Sequence, residues 1–133
     1  MRLSVISALV AALWVGPALA QEELKLTRTA ASGMDSLLAY EHAWDRNCNA
    51  QETKIAFTKK PAHGTVSIAT GTSTIPESVP RTGKTGACAG KTISGNQIMY
   101  KSDPGYQGAD AVSYVVVYPN GHRAPTTISI TVN

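Results

Sequence analysis

Hydrophobic and polar positions alternate through most of this chain, and the pattern is clearest near its end. In Ala111–Tyr118 one parity carries Val112, Tyr114, Val116 and Tyr118, and the other Ala111, Ser113, Val115 and Val117. Apolar residues on both parities predict a central strand covered on two faces. Pro104, Gly105 and Gly108 mark the loop that enters it. Pro119-Asn120-Gly121-His122 marks the turn that leaves it, because Asn-Gly favours the positive φ values of a tight hairpin. Thr126–Val132 then alternates cleanly, with Ile128, Ile130 and Val132 expected to face inward.

Weaker alternations precede this block. Leu24 and Leu26 share a parity in 21–29, as in an edge strand, and Ala31-Ser32-Gly33 breaks the run. The next segment, 34–42, is ambiguous. Leu37, Leu38 and Glu41 suit a short helix, while Met34, Leu38 and Tyr40 suit a strand, which is preferred because every neighbouring signal is β. Trp44-Asp45-Arg46-Asn47-Cys48-Asn49 reads as a loop rich in turn formers. A hairpin is expected next: Ile55 and Phe57 in 53–58, a turn at Lys59–Gly64, and a return over 65–69 with Val66 and Ile68 inward. Between residues 70 and 90 Gly, Thr, Ser and Pro take over, leaving only Ile75 and Val79 as sizeable apolar side chains. A loop of that length reads either as an interaction surface or as a plain surface excursion. Residues 91–93 and 97–101 suggest a second hairpin around Ser94-Gly95-Asn96. About seven or eight short strands divided by turns predict an all-β, antiparallel two-sheet sandwich.

The first twenty residues depart from this pattern. Arg2, an apolar run over 3–15, Pro17 and Ala18-Leu19-Ala20 have the order of a secretory signal, so one domain is expected over residues 21–133, with no membrane insertion after cleavage. The apolar run is short of the ~20 residues a spanning helix needs. Export to the periplasm or the extracellular space would place Cys48 and Cys88 in an oxidising compartment, where a disulfide is their expected state. The formal net charge is +3. Its charges are scattered, with Lys59-Lys60 the sole basic pair outside any cluster, so neither a nucleic-acid footprint nor a polybasic membrane patch is expected.

Pro61-Ala62-His63-Gly64-Thr65-Val66, Tyr100, the run from Gly105 through Asp110 to Tyr114, Gly121 and the closing 128–132 strand resemble bacterial Ig-like and cadherin-like repeat domains. The resemblance covers residues 53–132 and implies the sandwich fold. Two departures matter: Val112 stands where the family usually has Phe, and the acidic linker that supplies calcium ligands between cadherin repeats is missing. Calcium binding is therefore not carried over. Asp110 is expected to organise its loop with Gly105 and Gly108, accepting backbone N–H bonds.

Chemistry is sparse. His42, His63 and His122 each lie beside an expected turn, and Ser102 or Ser113 would have to come within ~3 Å of one of them to form a triad. No cofactor-binding or metal-ligating motif is present. Trp44 is expected to pack in the core or on the disulfide ahead of serving as a ligand platform. The expected function is a non-catalytic binding module for a protein or glycan partner. Its candidate contact residues are Lys59, Lys60, His63, Arg81 and Lys84 on loops. The alternatives are a structural subunit that pairs through an edge strand, and a small periplasmic inhibitor or hydrolase.

Overall fold

The computed structural model describes residues 15–16 and 21–133, so most of the expected signal segment lies outside the described residues. Among the described residues, no helix is long and apolar enough to cross a membrane. The chain is all-β. Its strands are β1 (Leu24–Ala30), β2 (Asp35–Glu41), β3 (Ala43–Trp44), β4 (Ala50–Gln51), β5 (Lys54–Lys59), β6 (Gly64–Thr74), β7 (Ser78–Val79), β8 (Gly83–Lys84), β9 (Thr92–Ser102), β10 (Gly108–Val117) and β11 (Arg123–Val132), with one 3-10 turn at Gly86–Cys88.

Two sheets hold the core between them. One has the order β1-β11-β10-β5 and the other β2-β9-β6, while β3-β4 and β7-β8 are small ribbons. All pairings in the two main sheets are antiparallel except that β1 runs parallel to β11, from Leu24 opposite Thr126 to Ala30 opposite Val132. Val112, Tyr114 and Val116 of β10 and Ile128, Ile130 and Val132 of β11 pack against Leu38, Ile98 and Tyr100 of the opposing sheet. Each fully buried Val, Leu or Ile contributes roughly 1.5–3 kcal/mol relative to exposure. The other parity of β10 is only half-buried, so this central strand is fully covered on one face rather than on two.

Three further expectations about the strands are corrected. The first concerns the segment 53–69, which is not a hairpin: β5 pairs with β10 in one sheet and β6 with β9 in the other, so the Lys60–His63 bend carries the chain between sheets. Residues 91–101 are likewise not two strands around a turn. Residues 92–102 form one strand, β9, in which Gly95 lies opposite Gly71 of β6. The third correction shortens the 70–90 loop, because β6 continues to Thr74 and Ile75 is buried.

The paired glycines explain why β9 does not turn. A Cβ on Gly95 would sit 2.7 Å from Cβ of His42 and 3.1 Å from the ring of Tyr40, and a Cβ on Gly71 would meet the Gln97 side chain. The two glycines thus make a depression in which β2 side chains lie, with the Tyr40 hydroxyl donating to the carbonyl of Gly71. His42 lies between Tyr40 and Trp44, tilted against the Tyr40 ring at 4.9 Å and stacked on the Trp44 ring at 5.4 Å. Trp44 packs in turn against a second cluster of Ile75, Ile93 and the Cys48–Cys88 disulfide.

Both ring nitrogens of His42 are buried without a hydrogen-bond partner, and burial holds its pKa below the usual histidine value. A depressed histidine pKa contributes stability that is fully present above the unfolded value of 6.5 and is lost as pH falls toward the folded one. His42→Phe should keep the stack and remove this loss. The expected result is a melting temperature at pH 7 no lower than that of the wild type, with a smaller decline from pH 6.5 to 5. An equal decline in both proteins would assign the pH dependence elsewhere.

Candidate functional site

The expected loop-organising carboxylate lies at one end of the sandwich. Asp110 Oδ1 accepts N–H bonds from Ala62 (2.8 Å) and Ala111 (2.9 Å), and Oδ2 accepts from the Tyr100 hydroxyl (2.8 Å) and from N–H of His63 (3.0 Å). Burial by itself pushes this carboxyl up; the Tyr100 bond and the three backbone bonds outweigh it, and its pKa lies below the usual aspartate range. Tyr100 is pushed the other way, by burial first and then by its bond to Asp110. Gly108, at φ 132°, leaves room for the Tyr106 ring, whose hydroxyl donates to the carbonyl of Ala109. Gly105 also has a positive φ, 81°.

Of the expected contact residues, Lys59, Lys60 and His63 surround this end and are exposed. The His63 ring lies flat on Tyr106, with centroids 4.0 Å apart. A shallow depression of about 280 Å³ lies between Lys59, His63 and Ala109–Ala111. Both oxygens of Asp110 are already engaged, which leaves that depression without a free carboxylate acceptor.

A larger cleft, of about 650 Å³, opens at the other end of β10, where the edges of β1 and β2 approach one another. Leu24 and Leu26 of β1 line one side and Ala39–Trp44 the other. Val79–Thr82 form a third wall, and Tyr118–Asn120 with His122 close the end. Arg28 bridges the seam by donating through Nε to the carbonyl of Leu38 at 2.7 Å. Arg81 latches the 70–90 arm across the opening: Nη1 donates to the carbonyl of Glu22 at 3.0 Å, and Nη2 donates to the carbonyl of Pro125 and to Thr126 Oγ1. Arg81 therefore fixes a wall of the cleft. Lys84 remains exposed on β8.

Glu41 is, with Asp45, one of the two carboxyls that line this cleft. Its Oε1 accepts a 2.6 Å hydrogen bond from the buried Tyr114 hydroxyl, and it belongs to the cleft lining. Burial raises its pKa above the usual glutamate value, opposed by the Tyr114 bond and by the nearby Arg81 charge. Tyr118 is raised by burial and then by the proximity of Glu41. A half-buried carboxyl with a perturbed pKa, set in a cleft with aromatic walls, has the character of a ligand site.

Sequence parity placed Glu41 on the wrong face. In β2 the register shifts between Leu37 and Ala39, so that Leu38 is an extra residue and everything beyond it changes side. Tyr40 consequently turns outward over the glycine pair and Glu41 turns inward to Tyr114. No residue type in this stretch announces a bulge; only the burial of both Leu38 and Ala39 against the core reveals it.

The other candidate groups are occupied or apart. Ser102 Oγ accepts from N–H of Gly33 and donates to the carbonyl of Asp103, and Ser113 Oγ pairs with Thr127 Oγ1. Neither serine is bonded to a histidine. Asp45, also at the cleft, holds its own loop together by accepting from N–H of Asn47 and Asn49 and from the side chains of Asn49 and Gln51. Those bonds, the Asn49 N–H first, together with the Arg46 charge outweigh the opposing effect of desolvation and keep its pKa low. Among the described residues, no three His, Cys, Asp or Glu side chains are grouped closely enough to hold a metal ion.

No family model matches the sequence, and no curated protein matches it. A solved structure, the solution structure of amebosin, aligns with a TM-score of 0.38 and 12% identity over 84% of this chain and 99% of that one.

Proposed function

We propose that this chain is an exported, non-catalytic binding module of Ig-like architecture, acting in the cell envelope or extracellular space and holding a glycan segment in the cleft beside Glu41. The cleft is the observation that carries this reading. It places Trp44 and Tyr118, whose rings suit the faces of sugars, beside hydrogen-bonding groups of both kinds on Glu41, Gln51 and Asn120. The 70–90 arm enters as a wall of the cleft, through Val79–Thr82.

Strand order supports the Ig-like assignment. Taking the seven longer strands in sequence as A to G, one sheet reads B-E-D and the other reads A-G-F-C, which reproduces the BED and CFG orders of the Ig constant type with the first strand moved to the second sheet. The disulfide departs from that type, since it joins the β3–β4 loop to the 3-10 turn outside the main core instead of crossing between the sheets. Binding is favoured over hydrolysis because glycoside cleavage generally uses two carboxyl groups flanking the bond. Asp45, the other carboxylate of the cleft, is committed to its loop.

Titration with cello-, xylo- and chito-tetraose while following the NMR signal of the Trp44 indole tests the reading. Binding by at least one glycan is expected, at a Kd weakened by about tenfold in Tyr118→Ala, the loss of a single aromatic contact. Replacing residues 78–84 by a short glycine linker should abolish binding while leaving Ile75 and Cys88 in place, because Glu77 and Thr85 already lie side by side, the Thr85 N–H 2.9 Å from the Glu77 carbonyl. If no glycan moves the indole signal, the glycan reading fails.

A further inference from the structure

The two main sheets have four outer edges, and three of them carry features that obstruct strand addition. Lys25 and Arg28 charge β1, while β2 has Asp35, Glu41 and the bulge at Leu38. The β5 edge begins and ends in lysine, and its pairing with β10 is irregular. Charges and bulges of this kind are how sheets avoid pairing with other chains.

The fourth edge has none of them. β6 is eleven residues long, Gly-Thr-Val-Ser-Ile-Ala-Thr-Gly-Thr-Ser-Thr, with no charged residue and no proline. Its register with β9 runs without a shift from Gly64 opposite Ser102 to Thr74 opposite Thr92. Beyond that pairing, no backbone hydrogen bond is made from Gly64 to Thr74 among the described residues. Near its middle, Ile68, which sequence parity with Val66 places inward, is 44% exposed, because none of the described residues covers the edge there. An exposed isoleucine at the centre of a long, regular and uncharged edge is the arrangement that folded domains otherwise avoid.

We infer that this edge is a homodimer interface in which β6 pairs antiparallel with β6 of a second copy, about a two-fold axis at Ile68. The occupant follows from self-complementarity. An antiparallel two-fold places the same strand on both sides, so an edge without charges meets no like charge. Centring the register on Ile68 brings the two isoleucines opposite one another and covers the apolar side chain that the monomer leaves exposed. Val66 then faces Thr70 of the other copy, an aliphatic and β-branched pair suited to a sheet surface. The product is a continuous six-stranded sheet, β2-β9-β6 joined to its own symmetry mate. The cleft lies at the β1 and β2 edges, on the far side of the sheet from β6, so this inference stands apart from the glycan reading.

Sedimentation velocity from about 5 to 500 μM tests it on three proteins: wild type, Ile68→Lys and Ile68→Glu. The wild type is expected to dimerise in this range, and like charges placed opposite each other should weaken each variant by about tenfold or more. An equimolar mixture of the two variants should recover dimers, because the register sets Lys against Glu. Circular dichroism and melting temperature of the variants check that the fold survives a change at an exposed position. A wild type that stays monomeric overturns the inference. So does dimerisation unaffected in both variants, and so does a mixture that remains monomeric. Pairing of β6 only with strands of other proteins would equally overturn it.

Discussion

Asp110→Ala is expected to destabilise the domain by about 3 kcal/mol or more, seen as a fall in melting temperature of about 12 °C. The carboxylate accepts four hydrogen bonds, and its loss leaves the buried Tyr100 hydroxyl and three backbone N–H groups without their acceptor. The two N–H groups of Ala62 and His63 lie in the bend that carries the chain from β5 to β6, so the loss also frees the connection between sheets. Tyr100→Phe is the control. It removes one donor and leaves the carboxylate three backbone partners, and should cost only about 1 kcal/mol.

Acidification probes the same bonds. Asp110 has a folded pKa below its unfolded value of 3.8, so the stability it contributes is complete above about pH 4 and is lost as pH falls through the folded pKa. Glu41 behaves oppositely. Its folded pKa lies above 4.5, so protonation favours the fold as pH falls through that raised value. Melting curves for Asp110→Asn should therefore show a smaller decline below pH 4 than the wild type. Curves for Glu41→Gln should lose the gain on acidification that precedes it. Parallel curves for all three proteins would show that neither carboxyl governs the acid limb.

Replacing both cysteines by serine is expected to lower stability by about 3–4 kcal/mol, as the chain-entropy account gives for a closed loop of this length. The cysteines are 40 residues apart in sequence. Because the disulfide anchors the small cluster of Trp44, Ile75 and Ile93 outside the main core, its loss should act unevenly. Amide exchange should accelerate most at Ile75, Gly90 and Lys91, whose N–H groups tie the end of the arm down, and less at Val112 or Ile128 in the central strands. Uniform acceleration across both regions would show that the bridge supports the whole sandwich.

Much of the fold was legible in the sequence because its longest strands obey simple rules. β11 alternates without interruption, β10 is apolar on its core face from Val112 onward, and the Asn120-Gly121 turn that joins them has the positive φ at Gly121 that its sequence announces. What escaped depended on contacts distant in sequence. Glycine in Ser94-Gly95-Asn96 usually marks a turn, but here it marks close approach by Tyr40 and His42 from another strand. The run Lys59–Gly64 contains hairpin residues, yet Asp110, nearly fifty positions later, holds that bend in the orientation that feeds a different sheet. The cleft was hidden for a related reason. Its carboxyl faces inward only because of a bulge, and its wall is held by an arginine bonded to main-chain carbonyls, which no local pattern encodes.

The parallel pairing of β1 with β11 bears on when the domain can form. Leu24–Ala30 is among the first described segments made during synthesis, and its partner, 126–132, is among the last. Until that partner is available, β1 has no neighbour in its sheet, and the β10–β11 hairpin on which the core is built does not exist. Contacts of such wide sequence separation close slowly. The β1 edge therefore cannot be added in chain order, and closure of its sheet waits for the 126–132 segment.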